Sequence, residues 1–326
     1  MKNKALAILL CLGLCIGLTA CGGEDKGKEK PAVESAASVN NGDLKEDSTA
    51  LTIGKTKVPY NEYQAYYYFM KNQYENVLNA DIWKYTGAGE KGKSIGQEAI
   101  EDVLRLIIQV KVIGKAAAEK GVVLEVDEKE VSDYNAKKYF DSINEKVRKE
   151  NGITLAVMTQ IFAENKLAAK MYNVVMGTVD VNVTAEQSKA ARVQLIYLKA
   201  DDKTRAQVKQ KADALCAQAK NSAGSFYSLA RTNTQAAEVE CLIGRLDERT
   251  NLVNAVMGLK QYAVSGVIEE KDGYYIAYCV EPGNKKIYGE YKNQVVESRQ
   301  VSAFQKAYKE WSGKYEVKVS KSLLAK

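Results

Sequence analysis

The 326-residue sequence contains no histidine, the side chain most used as a general base near neutral pH and the commonest nitrogen ligand for metals. Ser-His-Asp triads, HExxH zinc sites and two-histidine iron sites are thereby excluded. Proline is scarce, at 3 residues beside 23 glycines, so the chain lacks the composition of a disordered or collagenous protein. The 6 cysteines form no CxxC pair, which leaves redox and zinc chemistry without a signature. Charge of one sign is also missing: 47 basic against 41 acidic residues give +6, too mild and too intermixed for nucleic acid. What is present is 46% hydrophobic residues over a length suited to about two domains at roughly 100–200 residues each.

Lys2 and Lys4 precede an apolar run from Ala5 to Leu18, followed by Leu18-Thr19-Ala20-Cys21. This start resembles the signal and lipobox of bacterial lipoproteins, which implies that residues 1–20 are removed and that Cys21 becomes a lipidated N-terminus. The expected location is the extracytoplasmic face of the cell membrane, held by lipid. An uncleaved membrane helix is the alternative, but the run falls short of the roughly 20 residues needed to span. No later stretch is apolar enough. Cys11 and Cys15 would leave with the signal, and Cys216, Cys241 and Cys279 remain. One bridge plus a free thiol and three buried thiols are both open.

Residues 21–50 are glycine, serine, asparagine and charge, and read as a flexible tether. Folded sequence is expected from Leu51, with a small hairpin around Gly54 and a helix after Pro59. Tyr60, Tyr63, Tyr67, Met70, Tyr74 and Val77 recur at three and four residues, with Tyr66, Tyr68 and Phe69 beside them. Such a stripe packs as core; a sharper reading makes Tyr63, Tyr67, Met70 and Tyr74 a surface for apolar peptide segments. Three further helical patterns follow: Ile100, Val103, Leu104 and Ile107; Val131, Tyr134, Tyr139 and Ile143; Leu155, Met158, Ile161, Phe162 and Met171. After Met176 the character changes. Val179 to Val183 alternates, Thr184 and Gln187 supply a capping-box signal, and a domain boundary is expected near 185. The expected order is then a strand (193–198), a helix (203–220), a short helix (225–231), a loop, a helix (252–259) and a strand pair around Lys271-Asp272-Gly273. A last helix, about 288–311, leads into the alternating 315–319.

Gly87 to Ser94 fits the P-loop pattern letter for letter. That chemistry needs a buried strand feeding the loop and a later strand ending in a magnesium-binding acid. The preceding residues read as helix, so no nucleotide is expected there. Asp180-x-Asn182-x-Thr184 approaches a calcium loop, but Ala185 and Ala191 stand where a glycine and a bidentate acid are required. No metal and no other cofactor is implied.

Arg192 to Leu198, Ser225 to Ala230, Gly244, Ala255 to Leu259, Val264-Ser265 and Asp272 to Ile276 follow the order and spacing of a parvulin-type peptidyl-prolyl isomerase domain, which this segment resembles. With the lipobox and helical flanks, the whole is similar to PrsA-like and SurA-like foldase lipoproteins. The resemblance implies an α+β protein: a helical SurA-like chaperone domain (51–185), completed by a C-terminal helix and strand (283–326), with an inserted parvulin-like domain (186–282) of antiparallel sheet flanked by helices. Active members carry two histidines, a cysteine or aspartate, and a Met and Phe pair at positions that read here Leu195, Leu242, Glu248, Leu252 and Tyr275. The implied catalytic set is therefore empty, because apolar or phenolic replacements do not reproduce a paired-imidazole network. Glu248 pointing into the pocket would add an unpaired carboxylate.

The implied function is a membrane-anchored extracytoplasmic foldase acting on unfolded or partly folded exported polypeptides, with a degenerate isomerase domain. Two other readings stand beside it: a working isomerase that does without histidine, and a scaffold for one envelope partner. Whether the protein dimerises stays open.

Overall fold

The computed structural model describes residues 49–78, 80–84, 94–320 and 323. The signal, Cys21, the tether up to residue 48 and residues 87–93 of the glycine-rich motif lie outside the described residues. Two compact units are formed: one reaches to Thr178 and resumes at Ala303, the other is Val179–Ser302.

In the first unit β1 (Thr49–Ile53) pairs antiparallel with β2 (Thr56–Pro59) through a turn at Gly54, whose φ of 58° suits a residue without Cβ. Thr49 and Ala50, expected to lie in the tether, belong to β1, and Ala50 is fully buried. Helix α1 (Tyr60–Leu78) starts directly after Pro59. A short 3₁₀ turn (Ala80–Lys84) and α2 (Ile95–Glu119) follow, the latter opened by a capping box between Ser94 and Gln97. Ile100, Val103, Leu104, Ile107, Ile108 and Ile113 are all buried, which makes α2 the central helix of the unit. Next come α3 (Val126–Ser142), α4 (Glu145–Glu150) and α5 (Leu155–Met176), the last capped by Thr154.

Helix α3 does not bury the face its periodicity suggests. Val131 and Tyr134 are 55% and 67% exposed, while Ser132 and Ala136 face inward and Tyr139 packs on Phe69 and Phe162. Small residues let α3 approach its neighbours closely, and a search for large apolar residues passes over them.

The second unit is a four-stranded antiparallel sheet, order β4-β3-β6-β5. Its elements run β3 (Ala190–Lys199), α6 (Arg205–Asn221), α7 (Phe226–Asn233), β4 (Glu240–Gly244), α8 (Thr250–Met257), β5 (Ile268–Glu270) and β6 (Gly273–Glu281). One sheet face packs Ile196, Leu198, Tyr274 and Ile276 against Leu215 and Phe226 of α6 and α7. The other packs Val193, Leu195, Tyr275 and Ala277 against Leu252, Val253 and Val256 of α8. Thr184 and Gln187 form both capping-box bonds, yet they close only a turn, and 179–183 is not a strand.

Helix α9 (Lys285–Ser312) is shared between the units. Ile287 and Tyr291 pack with Ala190, Arg192 pairs with Glu290, and Arg299 donates to the Asp180 and Asn182 carbonyls at 3.0 Å. The sheet unit therefore extends over 179–302 rather than 186–282. Only from Ala303 does the chain rejoin the first unit, where Phe304 and Trp311 enter the core and β7 (Val317–Val319) pairs with β1. The protein is an α+β chain in which a helical unit is completed by C-terminal residues around an inserted antiparallel-sheet unit.

Candidate functional site

Strand alternation decides which side chains of the sheet unit can meet. In the register of β3 and β6, Leu195 lies opposite Ala277 and Tyr197 opposite Tyr275, so Leu195 and Tyr275 are diagonal neighbours on the face covered by α8. Leu252 reaches the same face from α8. Leu195 and Tyr275 are 2% and 3% exposed and Leu252 is fully buried.

The Tyr275 ring stacks on Tyr197, with centroids 4.7 Å apart and planes inclined by 18°. Its hydroxyl donates to Asp272 Oδ2 at 2.6 Å, and the Tyr197 hydroxyl donates to the Asp272 carbonyl at 3.2 Å. The Arg249 guanidinium sits 5.2 Å from the Tyr275 ring centroid and is gripped by both Asp247 oxygens, at 2.8 and 2.6 Å. Burial pushes the Tyr275 phenol well above its ordinary pKa, and its bond to the Asp272 carboxylate pushes it further the same way. Burial works against the charge of Arg249, but its bonds to Asp247 and Tyr275 and their charges together outweigh burial and hold the group above its usual pKa. Both phenol hydroxyls and both Asp247 carboxylate oxygens are bonded within this cluster.

Residues 193–281 match the rotamase family, described as the PPIC-type PPIASE domain. The chain carries a PPIC-type domain. The search of curated proteins finds no match. Among solved structures, the chain is similar to the peptidylprolyl isomerase PrsA from Bacillus anthracis, with 16% identity over 65% of this chain and 96% of that one at a TM-score of 0.39. It is also similar to PrsA from Bacillus subtilis, with 18% identity over 69% and 90% at 0.25. A third is a structure of the SurA-like chaperones PEB4 and Cj1289 of Campylobacter jejuni, with 10% identity over 84% and 99% at 0.30.

Within the PPIC-type domain the five positions singled out from sequence separate. Leu195, Leu252 and Tyr275 come together. Leu242 does not: it lies on the opposite face of β4, against Ala190, Ile287 and Tyr291, and the β4 residues on Leu195's face of the sheet are Cys241, opposite Val193, and Ile243, opposite Ala191. Glu248 is exposed in the turn before α8, so no carboxylate is buried there and the expected penalty does not arise. Sequence reading passed over Tyr197, which the two-residue period of β3 places on Leu195's face. Arg249, Asp247 and Asp272 join the cluster only through the fold, and nothing local signals them.

The three cysteines of the PPIC-type domain cannot pair. Cys241 and Cys279 both lie opposite Val193, one on each neighbouring strand. Two strand spacings put them about 10 Å apart, beyond the roughly 7 Å Cα limit for a disulfide. Cys216 lies against the other face, its thiol 3.4 Å from the Ser265 carbonyl. None of the three is in a disulfide.

The aromatic stripe of α1 separates as well. Tyr63 is 0% exposed and stacked between Tyr60 and Tyr67, so it is a core residue and offers nothing to a ligand. Tyr67, Met70 and Tyr74 are half-buried. The Tyr74 hydroxyl donates to Asp102 at 3.0 Å and its ring packs on Trp83; burial first, and then the Asp102 charge, push its pKa up to about 12. Behind the stripe lies a buried ion cluster: Lys111 stands 2.7 Å from Glu62 and 2.6 Å from Glu164, while Gln160 donates to both acids. Burial outweighs Lys111 and raises the Glu62 pKa. Among the described residues no group of three acids or cysteines is arranged to hold a metal ion.

Proposed function

We propose that this chain is a lipid-anchored foldase of the cell envelope that binds unfolded exported polypeptides, and that its PPIC-type domain has lost rotamase catalysis. The observation that carries this reading is the stacked Tyr197 and Tyr275 pair with Arg249. Rotation about an X-Pro bond has a barrier of about 18–20 kcal/mol, lowered by a pocket that grips the twisted amide and matches its changing hydrogen-bond demand. Here the two positions that carry histidine in active members hold Leu195 and a phenol already bonded to Asp272. Tyr67, Met70 and Tyr74 on α1 supply the surface proposed for clients, and Cys21 the proposed anchor.

The deciding experiment follows a proline-limited refolding phase, which takes tens to hundreds of seconds uncatalysed at 25 °C. An unchanged rate with suppressed aggregation of the substrate supports the proposal. Acceleration at catalytic concentrations overturns the loss of catalysis, and unsuppressed aggregation overturns the foldase. Substituting Cys21→Ser abolishes lipid labelling and membrane retention if the anchor is as proposed.

A further inference from the structure

A groove opens on the PPIC-type domain away from the Tyr275 cluster. It lies between α6 and the edge strand β5, on the sheet face opposite Leu195, and encloses about 460 Å³. One wall is a single face of α6, running through Asp213 and Ala217 to Lys220; the other is Gly266, Val267 and Glu269. We propose that this groove takes an extended, uncharged polypeptide segment by strand addition to the edge.

Three features argue for that occupant. An edge strand presents backbone groups with no neighbour on its outer side, and near this groove the open ones are those of Val267. The Ser265 N–H bonds the Ala277 carbonyl at 2.8 Å, the Gly266 carbonyl accepts from Ser265 Oγ at 2.7 Å, and the Glu269 and Glu270 carbonyls accept from Asn251 at 2.8 Å and Arg205 at 3.2 Å, while Val267 between them makes no backbone hydrogen bond among the described residues. A Cβ built on Gly266 meets nothing within 4 Å, so the approach to that backbone is open. The dimensions also agree. The face of α6 from Lys209 to Lys220 is about 16 Å long at 1.5 Å per residue, the length of about five residues of extended chain. The walls carry two lysines and two acids, and both acids are already paired: Asp213 with Lys209 at 2.8 Å and Glu269 with Arg205 at 2.9 Å. Recognition then falls to the main chain, with side chains of small or β-branched residues against the Val267 and Tyr274 floor.

The inference stands apart from the proposed loss of catalysis, since the two sites occupy opposite faces of the sheet. Its test uses the full chain and a fluorophore-labelled pentapeptide of alternating threonine and valine, blocked at both ends. Anisotropy is expected to show saturable binding. N-methylation of alternate peptide nitrogens, which removes main-chain donors, is expected to weaken it about tenfold or more. Substituting Ala217→Trp, at an exposed helix position, fills the groove and is expected to do the same, with the circular dichroism spectrum unchanged. Hydrogen exchange is expected to slow in residues 266–269 when the peptide is bound. Absence of binding overturns the proposal, as does equal affinity for the N-methylated peptide, equal affinity of the Ala217→Trp chain, or protection confined to other segments.

Discussion

Tyr275 of β6 lies directly across from Tyr197 of β3, and the two rings stack at 4.7 Å while both hydroxyls converge on Asp272. Substituting Tyr275→Phe removes one bond to an exposed carboxylate that water can replace, so urea unfolding is expected to register a loss of about 1 kcal/mol. The near-ultraviolet tyrosine signal is expected to change with it, while the rate of proline-limited refolding of a test substrate stays at its uncatalysed value.

The ion cluster of the helical unit makes stability depend on pH. The Glu62 pKa is raised in the folded protein by burial, so the folded state binds its proton more tightly than the unfolded state. Its contribution is full below the unfolded value, near 4.5, and is lost as pH rises through the folded value. The groups facing it are Lys111 from α2 and Glu164 and Gln160 from α5. A Glu62→Gln variant is expected to lack this gain on acidification above pH about 4.5; parallel stability curves for the two proteins over that window would overturn the assignment.

Tyr63 buries a hydroxyl that has no hydrogen-bond partner among the described residues. Removing it by Tyr63→Phe relieves a desolvated polar atom, and the midpoint of chemical unfolding is expected to rise by the equivalent of about 1 kcal/mol. Client binding should be indifferent to this change and sensitive to Tyr67→Ala or Met70→Ala.

Gly273 has a φ of 151°, and a Cβ there would stand 2.1 Å from the Leu198 carbonyl oxygen. Substituting Gly273→Ala forces β3 and β6 apart where Gly273 pairs with Lys199, with an expected loss of about 3 kcal/mol or more. Thermal unfolding of the variant, read at the sheet unit's tyrosines, measures it.

Cys241 and Cys279 flank Val193 and are held apart by β3 itself. Denatured without reductant, the chain is expected to alkylate fully at Cys216, Cys241 and Cys279, whatever the oxidation state of the compartment from which it is purified. A bridged pair in the peptide map would contradict the register.

Much of this architecture is legible in the sequence where apolar residues repeat at one spacing over a long stretch. Helix α2 is such a case, since Ile100, Val103, Leu104 and Ile107 alone locate its buried side. Strand β3 is another, and Asp272-Gly273 marks its partner hairpin. The reading failed where the signal was short or carried by small residues. Strand β4 has only five residues, at the sheet edge, too few to show an alternation between the helices that flank it. Helix α3 packs through Ser132 and Ala136, so Val131 and Tyr134 misled. The cluster around Tyr275 was half visible: Leu195 and Tyr275 by resemblance, Tyr197 by strand period, and Arg249 not at all, because its place depends on how the turn before α8 folds back.

Strand β7 pairs with β1, setting Leu51 opposite Val319 and Ile53 opposite Val317. A ribosome delivers the chain from its N-terminus, so β1 waits for residues more than 260 positions later. The sheet unit, drawn from Val179–Ser302, has its full complement of strands earlier. Contacts so distant in sequence close slowly. During that interval the core of α1, α2 and α5 lacks Phe304 and Trp311, and the protein is itself, for a time, a chain with uncovered apolar faces.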